Sequence, residues 1–236
     1  MVKRFHFAAR WERVLLLSML SFMLGGAGPT TRPVGRGTTQ PMPTTLPAGT
    51  AVEAVQGYLR AIRAGYPEAA VTAYLDSYGM LDLVSGTDAK LTGEPREEAA
   101  ADIRLMIEAT WQTPGLADIM RTSGLTIKET KPAADGLTQV DYVLTVTQPR
   151  RVELPNTMYL HKAKDGWRIV DTNQANQPRM SDALRTGYLA AKRADPSAKL
   201  EQFLFDVMRS VRRKMQAATQ AAATRPGGPT TRPVGR

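Results

Sequence analysis

The sequence predicts an α+β protein in which N-terminal helices pack on an antiparallel sheet and amphipathic helices follow it. Three observations carry this prediction. Residues 137–171 read LTQVDYVLTVTQPRRVELPNTMYLHKAKDGWRIVD, where Val140, Tyr142, Leu144 and Val146 recur at every second position and Leu154, Met158 and Leu160 keep that parity in the next run. A period of two marks strands with one buried face. Ahead of this stretch, apolar residues fall three and four apart in successive runs between Val52 and Thr110, which is the helical period. Behind it, Leu200, Phe203, Leu204, Val207, Met208, Val211 and Met215 hold the same spacing over 16 residues.

Taken in order, the chain opens with Lys3, Arg4, Arg10 and Arg13, an eleven-residue largely apolar run at residues 14–24, and Gly25-Gly26-Ala27-Gly28. A basic region, an apolar stretch of this length and small residues at the cleavage positions describe a secretory signal, residues 1–27, cut after Ala27. The alternative is an uncleaved anchor, although the run is well short of the ~20 residues a spanning helix needs. Residues 28–49 are rich in Pro, Thr and Gly and bury too little apolar surface to offset the entropy of ordering, so they read as a disordered linker. The nonapeptide GPTTRPVGR stands at 28–36 and again at 228–236, inside a disordered basic tail at 222–236. The two copies are either paired basic tethers or a duplicated tail segment without a specific role.

The folded part begins with Thr50-Ala51-Val52-Glu53, a capping box. Val52, Val55, Leu59 and Ile62 then share one helical face, Gly65 stops the helix, and Pro67 opens the next, with Ala70, Val71, Tyr74 and Leu75 as its apolar stripe. Residues 76–93 are ambiguous, since Met80, Leu81, Leu83 and Val84 suit either a short strand or a helical end. A third helix starts around Glu94-Pro95, with Glu97 and Glu98 at the positive end of its dipole and Ile103, Met106, Ile107 and Thr110 facing the core up to Trp111. Pro114-Gly115 breaks it, residues 116–120 make one more turn, and Leu125 and Ile127 begin the first strand. Residues 133–136 turn into the alternating stretch, and Asp165-Gly166 closes its last hairpin, where glycine supplies a positive φ. After Asp171 a polar connector, residues 172–178, leads to a helix capped by Ser181 and reaching about Arg193. Asp195-Pro196 then starts the long C-terminal helix.

The parity opposite the core face of the sheet carries Asp141, Val143, Thr145, Thr157, Tyr159, His161, Arg168 and Val170. A sheet face left in water is seldom half apolar. Either the C-terminal helix covers it or a second subunit does, the latter giving a homodimer through the outer sheet face.

The helical hairpin YLRAIRAGYPEAAVTAYLD at 58–76, a third helix, and an antiparallel sheet ending in YLHKAKDGWRIVD at 159–171 together resemble the nuclear transport factor 2-like superfamily, in particular its small exported and envelope-associated members. The resemblance covers roughly residues 50–173 and is one of pattern. It implies a curved sheet wrapped as a cone around the helices, the cystatin-like arrangement, with 174–221 as a C-terminal helical extension. It also implies a pocket at the wide end of the cone, which some members use as isomerases, dehydratases or polyketide cyclases and others use only to bind. The pocket-side parity here carries Val140, Tyr142, Leu144, Met158, Leu160, Trp167 and Ile169, without a carboxylate or imidazole, so no catalytic residue transfers from the superfamily.

Composition narrows the chemistry further. The chain has no cysteine, which excludes disulfides, thiolate metal sites, cysteine nucleophiles and a lipid-modified cysteine. Two histidines, one inside the signal, do not make a multi-histidine metal site, and no cofactor is expected. The sequence also lacks Gly-x-Ser-x-Gly, a phosphate loop and His-Glu-x-x-His. Asp141 and His161 share the outer face, where they are either a base oriented by a carboxylate or two solvated strand residues. The formal charge of +9 is concentrated at the end of the chain, where seven basic and no acidic residues follow Val207. Arg209, Arg212, Arg213 and Lys214 either complement a helix dipole or contact an anionic envelope surface. Nucleic acid is not expected, given the export signal and the lack of interleaved aromatics.

The sequence therefore points to an exported, periplasmic or extracellular, non-enzymatic binding or interaction module of the bacterial cell envelope. Trp111, Tyr142, Leu144, Met158, Leu160 and Trp167 are its candidate pocket residues. The alternatives are a small-substrate isomerase or dehydratase with its pocket inside the cone, and a structural dimer tethered by basic tails.

Overall fold

The capping box forms as the sequence predicts. Thr50 Oγ1 accepts from the Glu53 amide at 3.2 Å and Glu53 Oε2 accepts from the Thr50 amide at 2.8 Å, starting helix α1 (Ala51–Arg63). The structure, a computed structural model, describes residues 49–223 apart from 88, 113–115, 148–150 and 175. The signal segment, both GPTTRPVGR copies, residues 28–48 of the linker and residues 224–236 of the tail lie outside the described residues.

Gly65, at φ +87°, turns the chain out of α1, and Pro67 opens α2 (Pro67–Tyr74). The ambiguous stretch is helical. Asp76 Oδ1 accepts from the Gly79 amide at 2.8 Å and starts α3 (Ser77–Ser85), which buries Met80, Leu81 and Val84. The Asp76 amide donates to the Ile169 carbonyl at 2.8 Å, tying the α2–α3 corner to the sheet. A Cβ on Gly79 would lie 2.8 Å from Val170 Cγ1, so α3 crosses the last strand at a distance that glycine permits. Helices α4 (Glu94–Trp111) and α5 (Leu116–Thr122) complete the N-terminal set.

The sheet is a four-stranded antiparallel meander in the order β1 (Gly124–Pro132), β2 (Thr138–Val146), β3 (Val152–Ala163), β4 (Gly166–Gln174). Its inner face buries Val140, Tyr142, Leu144, Met158, Leu160 and Ile169, in keeping with the period-two reading. Gly166 takes φ +130° just past the Lys164-Asp165 turn. The pairing of β3 with β4 is irregular where Tyr159 and Leu160 face Asp171 and Ile169, which leaves Val170 as an extra residue in β4. Such a bulge shifts the in-out alternation and strengthens the twist, and Ile169, Val170 and Asp171 are accordingly all buried. The strand also runs past its expected end at Asp171, because Thr172, Asn173 and Gln174 pair with Met158, Thr157 and Asn156.

Two expected helix starts are corrected. In α6 (Met180–Ala194) Ser181 lies inside the first turn and Arg179 precedes it, since the Ser181 amide and hydroxyl both bond to Asp171. The long helix α7 (Leu200–Ala223) begins after Asp195, whose Oδ1 accepts from the Ser197 amide at 3.1 Å and its hydroxyl at 2.6 Å in the preceding turn. Helix α7 does not cover the outer sheet face but packs along α4. The α4 helix is 18 residues long, whereas part of the outer face is already occupied, with Leu137, Tyr159 and Val170 packed under Leu83 and Ala133. The Arg179 guanidinium caps that cluster, 4.0 Å from the Tyr159 ring centroid. Leu184, Tyr188, Leu200, Leu204 and Val211 share one core with α1, α4 and the inner sheet face. Among the described residues no helix is long and apolar enough to cross a membrane.

Candidate binding cavity

The inner sheet face and the helices do not close completely, and a cavity of about 170 Å³ remains between them. A single buried water needs only ~10–15 Å³, so this is more than a packing defect. One wall comes from the helices, with Tyr58 on α1, Met80 on α3, Ile107 and Trp111 on α4, and Leu116 on α5. The opposite wall is the sheet, through Tyr142, Leu144, Met158 and Ile169. The third side is the segment from the end of β4 into α6, including Gln177, Pro178, Met180 and Ala183.

A polar ridge crosses the otherwise apolar sheet wall. Tyr142 pairs with Asn156 and Asn156 with Gln174, so three adjacent strands place them side by side, with Thr172 opposite Met158 one row along. Asn156 Nδ2 donates to the Leu154 carbonyl at 2.7 Å. Asn173 Nδ2 donates to the Gln177 carbonyl at 3.3 Å, and its Oδ1 is buried without a hydrogen-bond partner among the described residues.

On the helical side Trp111 Nε1 donates to the Tyr58 hydroxyl at 2.6 Å, and the two rings meet edge to face with centroids 6.2 Å apart. Tyr142 is 4% exposed and makes no hydrogen bond among the described residues. Burial pushes the Tyr58 and Tyr142 phenols well above the ordinary tyrosine range. Both therefore stay protonated and serve as O–H donors. Among the described residues that line the cavity there is no Asp, Glu, His, Lys or Arg.

Of the expected pocket residues, Trp111, Tyr142, Leu144 and Met158 line this space. Leu160 and Trp167 do not. The cavity lies along the second half of β4, whereas Trp167 stands near its start, with Nε1 donating to the Gly49 carbonyl at 3.2 Å, and Leu160 is fully buried in packed core. The residues that sequence reasoning missed are Asn156, Thr172, Asn173, Gln174 and Gln177. Asn156 was legible from its shared parity with Leu154 and Met158; Thr172 and Gln174 sit beyond the bulge at Val170, where counting from Trp167 and Ile169 gives the wrong face, and Asn173 and Gln177 lie past the expected strand end at Asp171.

The outer-face pair does not form. Asp141 lies opposite Thr157 and accepts from its hydroxyl at 2.6 Å, from Gln139 Nε2 at 2.8 Å and from Lys131 at 3.0 Å. These partners hold its carboxyl below the ordinary range against the opposing effect of burial. His161 stands four residues further along β3, its Nε2 2.9 Å from Asp76 Oδ2. Arg209, Arg212 and Arg213 are exposed on α7, with Arg212 facing Asp102 of α4, and Lys214 is half-buried. Among the described residues no cluster of three or more His, Cys, Asp or Glu is arranged to hold a metal ion.

A carboxylate outside the cavity fixes its third side. Asp171, fully buried, accepts from the Thr172 amide at 2.9 Å, from the Ser181 amide at 3.1 Å and from the Ser181 hydroxyl. It thereby joins the end of β4 to the start of α6 across the segment that carries Gln177, Pro178 and Met180.

No protein-family model and no curated protein sequence matches the chain. Among solved structures, the fold is similar to that of the phospholipid-binding protein from Ralstonia solanacearum, determined in complex with a phospholipid, at a TM-score of 0.53 and 14% identity over 68% of this chain and 96% of that one. At this identity the likeness is one of fold, and it supports a cone-like α+β architecture.

Proposed function

We propose that the protein is an exported lipid-binding module of the cell envelope whose cavity takes the acyl portion of a membrane lipid. The observation that carries this reading is the cavity itself: about 170 Å³, walled mainly by Leu, Ile, Met, Trp and Tyr, with only neutral polar groups among the described residues of its lining. Apolar walls favour hydrocarbon over water at roughly 25 cal/mol per Å² buried. General acid–base chemistry needs a group that exchanges protons near neutral pH. The described residues of the lining offer only phenols held far above that range, which favours binding over isomerisation or dehydration. The phospholipid held by the Ralstonia protein of the same fold gives the ligand class its second support.

The membrane-facing surface in this reading is α7. Phe205, 43% exposed, Arg209 and Arg213 follow at four-residue intervals along one side of the helix, and neither arginine pairs with an acid among the described residues. An exposed aromatic beside unpaired guanidinium groups suits an anionic lipid surface.

The test is to purify the full chain from envelope material of its host and compare native with denaturing mass spectra. A non-covalent mass that is lost on denaturation and fragments as a lipid is the expected result. A bare protein that also takes up no lipid from phosphatidylglycerol vesicles would rule the reading out.

A further inference from the structure

We infer that Tyr142, with Tyr58 beside it, reads the carbonyl of an acyl ester in the cavity, so that the protein prefers ester-linked to ether-linked lipids; this rests on the lipid reading above. Tyr142 lines the cavity, is 4% exposed, and its hydroxyl makes no hydrogen bond among the described residues. The Tyr58 hydroxyl accepts from Trp111 Nε1, and its own proton meets no acceptor among the described residues. The two phenols face the same cavity from its helical and sheet walls, each with an O–H that no protein acceptor takes among the described residues. An acceptor carried by the bound molecule completes both donors, and displacing water from them without one would leave them unsatisfied.

The charge of that acceptor follows from the lining. With no Lys, Arg or His among the described residues of the cavity walls, a carboxylate or phosphate placed between the tyrosines would be a buried anion without a cationic partner among them. A neutral carbonyl accepts the same hydrogen bonds without that cost. The carbonyl that joins an acyl chain to its polar neck stands where hydrocarbon ends and polar groups begin, and the cavity has the same order, with Leu144 and Met158 around Tyr142 and the amides of Asn156 and Gln174 beside it.

Titration of the full chain with monomeric 1-palmitoyl lysophosphatidylcholine and with its ether-linked hexadecyl counterpart, followed by calorimetry, isolates this one carbonyl. Both probes keep the free glycerol hydroxyl. The wild-type protein is expected to bind the ester roughly 3- to 10-fold more tightly, the range of one net hydrogen bond. Tyr142→Phe is expected to bring the two affinities to within about 2-fold of each other, since only the donor is removed. Equal affinities in the wild type would overturn the inference and leave the lipid reading standing, and no variant is needed to see that. A preference that survives in Tyr142→Phe would overturn the assignment to Tyr142. Failure of both lipids to bind would remove the lipid reading and the inference with it.

Discussion

Asp171 offers the most direct test of how the cavity wall is held. Substituting alanine removes the acceptor of the Thr172 amide, the Ser181 amide and the Ser181 hydroxyl at a site with no exposure. Hydrogen bonds to a charged acceptor contribute about 1.5–3 kcal/mol each, but they share one carboxylate and its burial already opposes ionisation, so the sum is not additive. A net loss of about 3 kcal/mol is expected for Asp171→Ala, a large share of the 5–15 kcal/mol typical of a domain. Asp171→Asn keeps the shape and tests the charge. Burial is the leading cause that raises the Asp171 pKa, with the Ser181 and Thr172 donors opposing it. The folded protein thus holds this proton more tightly than the unfolded chain, whose Asp titrates near ~3.9. The resulting stabilisation is full below that value and is lost as pH rises through the folded pKa. Urea denaturation across pH 3.5 to 8 should therefore show the wild type losing stability relative to Asp171→Asn as pH rises, then running parallel to it. A wild type that gains on the amide variant with rising pH would refute the reasoning, as would an Asp171→Ala variant within about 1 kcal/mol of wild type.

Other perturbations separate packing from binding. Tyr58→Phe removes the acceptor of Trp111 Nε1 and should lower stability by about 1 kcal/mol in the same urea assay, with no change counting against that contact. Gly79→Val puts a branched side chain where even a Cβ would sit 2.8 Å from Val170 Cγ1, and a loss of about 2 kcal/mol or more is expected; wild-type stability would mean that α3 shifts freely. Ala183→Trp projects an indole from α6 into the cavity and should abolish the co-purifying lipid mass while costing no more than about 1–3 kcal/mol; full lipid retention would show that the ligand lies elsewhere. Arg209→Gln with Arg213→Gln should reduce sedimentation with phosphatidylglycerol vesicles at low salt, where charge contacts are least screened, and leave little further loss on adding salt. Unaltered sedimentation would remove α7 from the membrane-facing surface.

The elements legible from sequence were those whose residues satisfy their own neighbours. The capping box at Thr50, the glycine and proline around α2, and the alternation through β2 and β3 are local signals, and each appears where the sequence put it. The misread features turn on which of several available partners a side chain takes, some of them distant in the chain. Asp76 caps α3 while its amide is held by Ile169, so the ambiguous segment is settled by a contact across the fold. Ser181 resembles an N-cap, yet Asp171 supplies the bonds that a cap would make. Asp195-Pro196 carries a good start signal, but its carboxylate is spent on Ser197 and the helix waits until Leu200. The cavity was half legible for a related reason. Parity located Tyr142, Leu144 and Met158, whereas the bulge at Val170 reversed it for Thr172 and Gln174, and a bulge depends on how two strands pair.

The same bulge joins stability to binding. By inserting Val170 it lets Ile169 stay in the core, puts Val170 against Leu83, turns Asp171 toward Ser181 and delivers Thr172 and Gln174 to the cavity. One short run of β4 therefore anchors α3, anchors α6 and forms a wall of the site. A ligand that touches this wall stabilises the folded state by mass action in proportion to its occupancy. Loss of Asp171 should accordingly weaken folding and lipid retention together, Ala183→Trp should remove retention with a smaller effect on folding, and Tyr142→Phe should remove the ester preference while lipid retention persists. Three variants with three different signatures distinguish a binding wall from a void left by imperfect packing, because in a void Asp171→Ala and Ala183→Trp would change stability alone and Tyr142→Phe would alter no lipid preference.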